Sequence, residues 1–308
     1  MCGVIGLLIK DPALEPALGG MLEPMIDALA DRGPDSSGLA VYSRSSARDD
    51  HLSLDGPDRP VRISVGSDSS LPWVTLSAEV GERFGPAVTV QPFPHGALIE
   101  TSAQLAAEVQ AFVADRWPAV RVVATGAAAV VVKDIGRPEE TCRQIGLAHW
   151  PGYLAVAHTR MATESAVTLL HSHPFAPAPD LCVVHNGSFS NYASVRRSLQ
   201  ARGVVFESDN DSEVAARLLA ERLSLGDDPE ESTRWVIKEL DGFFTLVITT
   251  ATAMSVVRDP FACKPAVVAE TARYVAVASE YRALAHLPDI STATVFEPRP
   301  AEVYTWTC

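Results

Sequence analysis

The chain begins with MCGVIGLLIK (Met1–Lys10), and this stretch decides how the rest of the sequence is interpreted. Its apolar residues from Val4 to Leu8 predict a strand. Cys2, directly before them, allows two interpretations. If Met1 is retained, Cys2 is a small apolar residue at the start of that strand. If Met1 is removed, Cys2 carries both a thiol and a free α-amino group, so that a nucleophile and a base share one residue.

Composition limits the classes of protein that fit. The chain has 308 residues, of which 47% are hydrophobic, and this is enough for a large buried core. Its net charge of −13, without a concentrated basic segment, argues against nucleic acid as a partner. The five cysteines are scattered and form no CxxC pair, which favours neither a disulfide framework nor a zinc site. With no apolar run long enough to cross a bilayer and no export signal, we expect a cytoplasmic protein without membrane association.

Strand and helix signals occur in groups along the chain. Strands are predicted in LPWVTLSAEV (71–80), GYLAVAHTRMAT (152–163) and DLCVVHNGSFSN (180–191), and GFFTLVITTATAMSVVRDP (242–260) predicts a two-stranded hairpin. Helical spacing of apolar residues occurs after residue 18 and again after Asp211. This grouping favours an α+β layered fold with antiparallel sheets over a doubly wound parallel sheet. Residues from about 44 to 140 are predicted to be an insertion.

Three polar segments follow or end predicted strands, where active-site loops are often found. They are HTRMAT (158–163), HNG (185–187) and SDNDSE (208–213). Each has an ordinary explanation: Arg160 as a surface ion-pair residue, Asn186–Gly187 as a turn, and Asp211 as a helix N-cap.

Taken together with Cys2, the same residues suit acyl transfer from an amide. An α-amino group has a reference pKa of about 8, so it can accept the thiol proton near neutrality. The Asn186 amide and the Gly187 N–H would stabilise the oxyanion of a tetrahedral intermediate. For an amino-acid substrate, Arg160 would bind the carboxylate and Asp211 the ammonium group.

The ordered set of motifs resembles the class II glutamine amidotransferases, the family of glutaminase domains with an N-terminal cysteine nucleophile. The motifs occur in the family's order from residue 1 to about residue 285. They are MCGVIG, RGPDSSG (32–38), HTRMAT, HNGSFSN, SDNDSE, LDGFF (240–244), RDPFACKPA (258–266) and ASEYRAL (278–284). The resemblance implies the four-layer αββα sandwich of N-terminal nucleophile hydrolases, as one domain over residues 1–308 with the insertion at about 44–140.

The resemblance also implies roles for single residues. Cys2 would be the nucleophile after removal of Met1, with the oxyanion hole formed by Asn186 and Gly187. The glutamine α-carboxylate would be bound by Arg160 and its α-amino group by Asp211. Thr163 would line the same pocket, and Arg32 would support the Cys2 region. The sequence departs from the family pattern at Ala262, Lys264 and Glu164, which could alter pocket closure or a partner contact.

The resemblance further implies a use for the ammonia. After Leu284 only 24 residues (308 − 284) remain, no acceptor domain is recognised, and no P-loop or GxGxxG motif indicates a bound cofactor. The motifs are most similar to the separate amidotransferase subunit of glutamate-synthase-like systems such as N-methylglutamate synthase. They imply a flavin-containing synthase partner and a ferredoxin-like subunit, with the insertion either a docking surface or a decoration of the fold.

Other functions are compatible with the same sequence. The chain could be an N-terminal nucleophile hydrolase that acts on another amide, or a non-catalytic regulatory subunit of such a complex. His171 and His173 in HSHPF have a spacing that could suggest a metal site, but no matching ligand set accompanies them. We therefore expect a structural loop there and no metal.

Overall fold

The structure is a computed structural model that describes residues 2–44, 56–162 and 166–308. Its helices are α1 (Leu18–Leu29), α2 (Trp73–Phe84), α3 (Ala103–Arg116), α4 (Pro138–Ile145), α5 (Tyr192–Ala201), α6 (Asp211–Ser224) and α7 (Pro229–Glu239). Its strands are β1 (Gly3–Ile9), β2 (Ser36–Tyr42), β3 (Pro60–Gly66), β4 (Thr89–Phe93), β5 (Gly96–Ser102), β6 (Arg121–Gly126), β7 (Ala129–Ile135), β8 (Leu154–Arg160), β9 (Phe175–Ala178), β10 (Leu181–Phe189), β11 (Gly242–Thr249), β12 (Ala253–Arg258), β13 (Val267–Glu270), β14 (Tyr274–Ala278), β15 (Thr294–Phe296) and β16 (Val303–Thr307).

The predicted N-terminal strand is the centre of the largest sheet. This seven-stranded sheet has the order β15-β13-β14-β1-β8-β2-β7, and β1 pairs antiparallel with β14 and β8. Every residue of β1 is buried. Ile5 and Leu7 belong to the core on one face, whereas Val4 and Leu8 belong to the core on the other. A strand covered on both faces explains why the apolar residues run without alternation.

Three buried clusters define four layers. The first cluster joins α1 to the outer face of the seven-stranded sheet. The second lies between that sheet and a five-stranded sheet of order β16-β12-β11-β10-β9. The third joins the five-stranded sheet to α5, α6 and α7. The α+β prediction and the αββα sandwich are therefore confirmed, and the predicted hairpin is β11–β12.

A separate four-stranded sheet forms within the predicted insertion. Its order is β4-β5-β3-β6, with α2 and α3 packed on it, which is the split β-α-β-β-α-β arrangement. The strand prediction for LPWVTLSAEV is wrong, because this segment forms most of α2. Trp73, Leu76 and Val80 are buried at helical spacing on one face of that helix.

The Val-rich run before Lys133 is two strands that belong to different sheets. β6 is an edge of the four-stranded sheet, whereas β7 pairs with β2 in the seven-stranded sheet. Between them the Asp180 carboxylate accepts hydrogen bonds from the N–H groups of Ala127, Ala128 and Ala129 at 2.8–2.9 Å. The part of the 44–140 segment that leaves the main sheets is thus the narrower range 60–126. Across the described ranges, no helix is both long and apolar enough to cross a membrane.

Candidate active site

A cavity of about 300 Å³ lies where the ends of several main-sheet strands meet. Cys2, Arg160, Gly187 and Asp211 all line it, so four of the predicted site residues are brought together. They come from the residue before β1, the last residue of β8, the interior of β10 and the first residue of α6. Thr163 lies outside the described residues.

The backbone of Cys2 is anchored while its thiol is partly exposed. Arg32 Nε donates a hydrogen bond to the Cys2 carbonyl oxygen at 3.1 Å, and the same guanidinium pairs with Glu280. Cys2 Sγ lies 3.8 Å from the carbonyl oxygen of Met161. Arg32 of the RGPDSSG motif and Glu280 of the ASEYRAL motif, which are distant in sequence, are therefore in contact next to Cys2.

The loop that follows β8 is held by the same RGPDSSG motif. The Asp35 N–H donates to the Arg160 carbonyl oxygen at 3.1 Å, and the Asp35 carboxylate accepts from the Ala162 N–H at 2.8 Å. Gly33 must be glycine here, since a Cβ at this position would lie 2.2 Å from the Thr159 carbonyl carbon. These contacts fix the position of Arg160 at the cavity wall.

Arg160 is a buried cation with a defined environment. Its Nη1 donates to the Ala166 carbonyl oxygen at 3.0 Å, and 4% of the residue is exposed. Burial lowers its pKa, while the nearby Cys2 and Asp35 act in the opposite direction. A guanidinium remains charged even so, and the cavity therefore presents a fixed positive group suited to a carboxylate.

Asn186 and Gly187 lie inside a strand, which excludes their interpretation as a turn. Gly187 has a φ of 149°, and a Cβ there would lie 2.0 Å from the Phe243 carbonyl oxygen. Glycine is therefore required by both conformation and space. The Asn186 side chain is buried, and its Nδ2 has no hydrogen-bond partner among the described residues. A buried amide donor without an acceptor is costly unless a ligand supplies one.

The direction of the Gly187 N–H follows from the strand register. Gly187 is opposite Phe244, whose N–H and C=O both bond to Asp259 on the side away from β10. In an antiparallel pair, two directly opposite residues point their backbone N–H and C=O groups either towards each other or both outwards. Because those of Phe244 point outwards, the Gly187 N–H points away from β11. On that edge β9 pairs with β10 at Leu181 and Val183. The Gly187 N–H thus faces the region beyond the end of β9.

Asp211 begins α6 but is not its N-cap. That position is taken by Asn210, whose side chain accepts from the Ser212 N–H. Asp211 Oδ2 accepts from the Phe189 N–H at 2.9 Å, and Oδ1 accepts from the Ser212 hydroxyl at 3.2 Å. These bonds hold the carboxylate at the cavity wall with 21% of the side chain exposed. An ammonium group in the cavity could share this carboxylate.

Three buried histidines beside the cavity were not predicted as site residues. His173 stacks on His158 with ring centroids 4.0 Å apart, and it meets His185 edge-on at 6.4 Å. Burial lowers the pKa of His158 to about 3 and also lowers the pKa values of His173 and His185, so all three are neutral at pH 7. Both ring nitrogens of His173 have no hydrogen-bond partner in the described ranges. HSHPF was its only sequence signal.

His171 joins two segments beside the cavity through its two ring nitrogens. Its Nε2 lies 2.6 Å from Asp209 Oδ1, and its Nδ1 lies 2.7 Å from the Thr168 hydroxyl. Asp209 is one of the residues that line the cavity. In the part of the chain that the structure describes, no group of three His, Cys, Asp or Glu side chains is placed to hold a metal ion.

Comparison with known proteins shows that the chain is similar to glutamine amidotransferases. A family model described as a glutamine amidotransferase domain matches residues 158–286. The glutamine amidotransferase-like protein GlxB of Rhizobium meliloti is 41% identical over 307 residues, covering 99% of this chain and 98% of the relative. A putative glutamine amidotransferase of Methanothermobacter thermautotrophicus is 30% identical over 319 residues, covering 99% of each chain.

A solved structure supports the fold independently. The glutamine phosphoribosylpyrophosphate amidotransferase of B. subtilis, in complex with ADP and GMP, matches with a TM-score of 0.61 at 18% identity. The match covers 99% of this chain and 47% of that one, so this chain spans about half the length of that enzyme. The molecule is thus an α+β protein with a four-layer αββα fold. It belongs to the class II glutamine amidotransferase family and is an enzyme of that class.

Proposed function

We propose that this chain hydrolyses L-glutamine to glutamate and ammonia through a thioester on Cys2, and delivers the ammonia to a separate glutamate-synthase-like subunit. The supporting observation is that Cys2, Arg160, Gly187 and Asp211 all line one cavity. A nucleophile, an oxyanion donor, a cation and an anion in one cavity match the needs of an amide whose carbon skeleton carries an amino-acid head group.

The proposed first step is attack on the side-chain amide of glutamine. After Met1 is removed, the α-amino group of Cys2 takes the thiol proton, and the sulfur bonds to the amide carbon. The negative charge that develops on the amide oxygen is stabilised by the Gly187 N–H and by the unpartnered Asn186 Nδ2. Return of the proton to the nitrogen releases ammonia and leaves the thioester.

The second step restores the enzyme. Water gives a proton to the free α-amino group and adds to the thioester carbon, and the same oxyanion donors stabilise the second tetrahedral intermediate. Loss of the Cys2 sulfur then yields glutamate. No group other than this chain's own residues and water is required for the balance of atoms.

Selection for glutamine depends on its head group. The Arg160 guanidinium offers the fork geometry that matches a carboxylate, and the Asp211 carboxylate can accept from an ammonium group. Amides that lack the carboxylate or the ammonium group lose the contact with Arg160 or with Asp211 that would orient the substrate in the cavity. Such amides are therefore poor substrates, which distinguishes the enzyme from a hydrolase of another amide.

Delivery of ammonia to a partner rests on the motif resemblance to separate amidotransferase subunits. The partner would be a flavin-containing synthase, with a ferredoxin-like subunit in the same complex. The unit formed by residues 60–126 has its own core of α2, α3 and four strands and therefore offers a preformed surface for docking.

The function is tested with the purified complex and two nitrogen sources. Co-purification with a tagged copy of the chain identifies the synthase subunits. Cys2→Ala abolishes synthesis from glutamine but preserves synthesis from added ammonia at the wild-type rate. The matched control is Cys263→Ala, because Cys263 is an exposed cysteine that does not line the cavity. Unchanged glutamine use by the Cys2→Ala complex would identify a regulatory subunit instead.

A further inference from the structure

A second cavity of about 290 Å³ lies between the four-stranded unit and the main sandwich. One wall comes from α3 and β6, and the other from β9 and the region around the start of α6. It shares no lining residue with the cavity that contains Cys2. We refer to it below as the inter-sheet cleft.

Lys133 of β7 reaches this cleft from the seven-stranded sheet. The residue is 7% exposed, and its Nζ lies 5.2 Å from the ring centroid of Phe175, which also lines the cleft. Across the described ranges no hydrogen bond or ion pair is formed by Lys133. A buried ammonium without a counter-ion is strongly disfavoured by the loss of hydration. A ligand that brings a negative charge would remove that penalty.

Glu207, Glu213 and Arg217 together carry one net negative charge, and Lys133 brings the charged side chains of the lining to neutrality. Arg217 lies 3.2 Å from Glu213 and 3.9 Å from Glu207. Glu213 also accepts from the N–H groups of Glu207 and Ser208. Arg217 is held by ion pairs, whereas Lys133 has no direct ion pair among the described residues, although two carboxylates stand nearby. Because the lining is neutral with Lys133 charged, a single negative charge is accommodated more readily than a phosphate dianion.

The remaining lining residues indicate the chemical character of the part of the ligand that does not contact Lys133. Apolar surface is supplied by Leu170, Phe175, Val122, Val123 and the Ala176–Pro179 segment. Polar atoms form the larger part of the accessible lining, and they come from Thr125, Gln110 and the charged side chains named above. A small acid would lay a short carbon chain against the apolar residues while its carboxylate meets the ammonium group.

We propose that the inter-sheet cleft is a binding site for a small apolar monocarboxylate, held by an ion pair with Lys133. The cleft is separate from the cavity that contains Cys2, but one side chain of the cleft contacts a side chain of that cavity. Phe175 also meets His173 edge-on at 4.9 Å, and His173 lines the cavity that contains Cys2. A ligand on Lys133 thus lies one aromatic ring away from the glutamine cavity.

The site is tested by isothermal titration of the full chain with butyrate and benzoate. Butyramide, which lacks the negative charge of butyrate, is the uncharged control. Inorganic phosphate tests whether the site prefers a different anion. We expect saturable binding of the acids, at least about tenfold weaker binding of butyramide and of phosphate, and a similar loss in Lys133→Met. Lys238→Met, at an exposed position on α7, retains wild-type affinity. Excess glutamate does not displace the acid.

The pH dependence gives a second readout that needs no variant. Burial lowers the pKa of Lys133 to about 8, with Cys182, Glu207 and Glu213 acting in the opposite direction. Its other charged or titratable neighbours are His173, which is neutral at these pH values, and Arg217 across the cleft. Butyrate affinity therefore falls between pH 7 and 9.5 as Lys133 loses its proton.

The proposal fails on any of four results. These are no saturable binding of either acid, equal binding of butyrate and butyramide by the wild-type chain, preference for phosphate, and displacement by glutamate. Unchanged affinity in folded Lys133→Met would also overturn it. None of these results depends on glutaminase activity, so they leave the proposed function untouched.

Discussion

Arg32 and Cys2 are joined by a 3.1 Å hydrogen bond from the Arg32 Nε to the Cys2 carbonyl oxygen. The same guanidinium pairs with Glu280 after β14, the strand that neighbours β1. The N-terminal residue would otherwise be free to move, since a chain end has few restraints. A helix–strand connection and a distant loop thus fix the position of the proposed nucleophile.

Arg32→Met is expected to lower kcat for glutamine by about tenfold to a hundredfold with little change in KM. The reason is that small displacements of a reacting group cost this much in rate, whereas the proposed substrate contacts of Arg160 and Asp211 would remain. Steady-state kinetics check this. Arg234→Met is the control, because Arg234 pairs with Glu230 on the exposed surface of α7. A raised KM with unchanged kcat would place Arg32 in substrate binding.

Gly187→Ala is expected to destabilise the fold and remove activity. The new Cβ would lie 2.0 Å from the Phe243 carbonyl oxygen at a φ of 149°, so the strand must shift. We expect a loss of about 2 kcal/mol or more in the free energy of unfolding and at least about a hundredfold in kcat. Urea denaturation and glutaminase assays measure both. Gly203→Ala, at a φ of 91° with open space around it, isolates the conformational cost alone. Equal effects of both substitutions would mean that the close approach at Gly187 is unimportant.

Asp211→Asn is expected to reduce kcat/KM for glutamine by about tenfold to a hundredfold, because it removes the charged group that we propose as the acceptor for the substrate ammonium. The amide oxygen of asparagine can still accept from the Phe189 N–H, so the fold is preserved. A second expectation follows for an analogue of glutamine without its α-amino group. The variant should discriminate against this analogue much less than the wild type does.

The matched control for that substitution is Asp241→Asn. Asp241 is exposed and accepts from the Ser190 hydroxyl at 2.8 Å near the end of β10, outside the cavity. Its kinetics should match the wild type. If Asp211→Asn retained full discrimination against the analogue, the α-amino group would be recognised elsewhere.

The stability of the protein is expected to fall steeply in weak acid. In the unfolded chain histidine takes up a proton below about pH 6.5, whereas folded His158, with a pKa of about 3, stays neutral. His173 and His185 are shifted in the same direction by burial. Their stabilisation is therefore complete above pH 6.5 and is lost as the pH falls. His158 contributes a slope that approaches about 1.4 kcal/mol per pH unit between its two pKa values, and His173 and His185 act in the same direction.

Urea denaturation at pH 7, 6 and 5 measures that slope. His158→Asn should reduce the slope of the unfolding free energy against pH by the contribution of one proton. This holds whatever effect the substitution has on stability at pH 7. An identical slope in the variant would show that His158 is protonated in the folded state.

The amount of structure that could be predicted differs between elements for physical reasons. β1 was predictable because both of its faces are buried, which leaves a continuous apolar run. α2 was not, because β-branched Val74 and Thr75 lie between the buried Trp73 and Leu76 and resemble a strand. The division between β6 and β7 depends on the Asp180 carboxylate, which is 51–53 positions away in sequence.

The same distinction holds for the site. The order of the motifs was the signal for grouping Cys2, Arg160, Gly187 and Asp211, and the structure brings all four to one cavity, while their roles stay predictions. His173 could not, since its burial against His158 and Phe175 arises only when β8 and β9 come together in the fold. The HSHPF motif shows that two histidines lie close in sequence, but it carries no information about residues that are distant in sequence and pack against them.

The central claim is most directly tested by intact-mass spectrometry before and after treatment with an electrophilic glutamine analogue, such as a diazoketone. The untreated chain should lack the mass of one methionine. The treated chain should gain one adduct, mapped by peptide sequencing to Cys2 with a free α-amino group, while Cys142, Cys182, Cys263 and Cys308 remain unmodified. A retained Met1 in active protein, or an adduct on another cysteine, would contradict the claim.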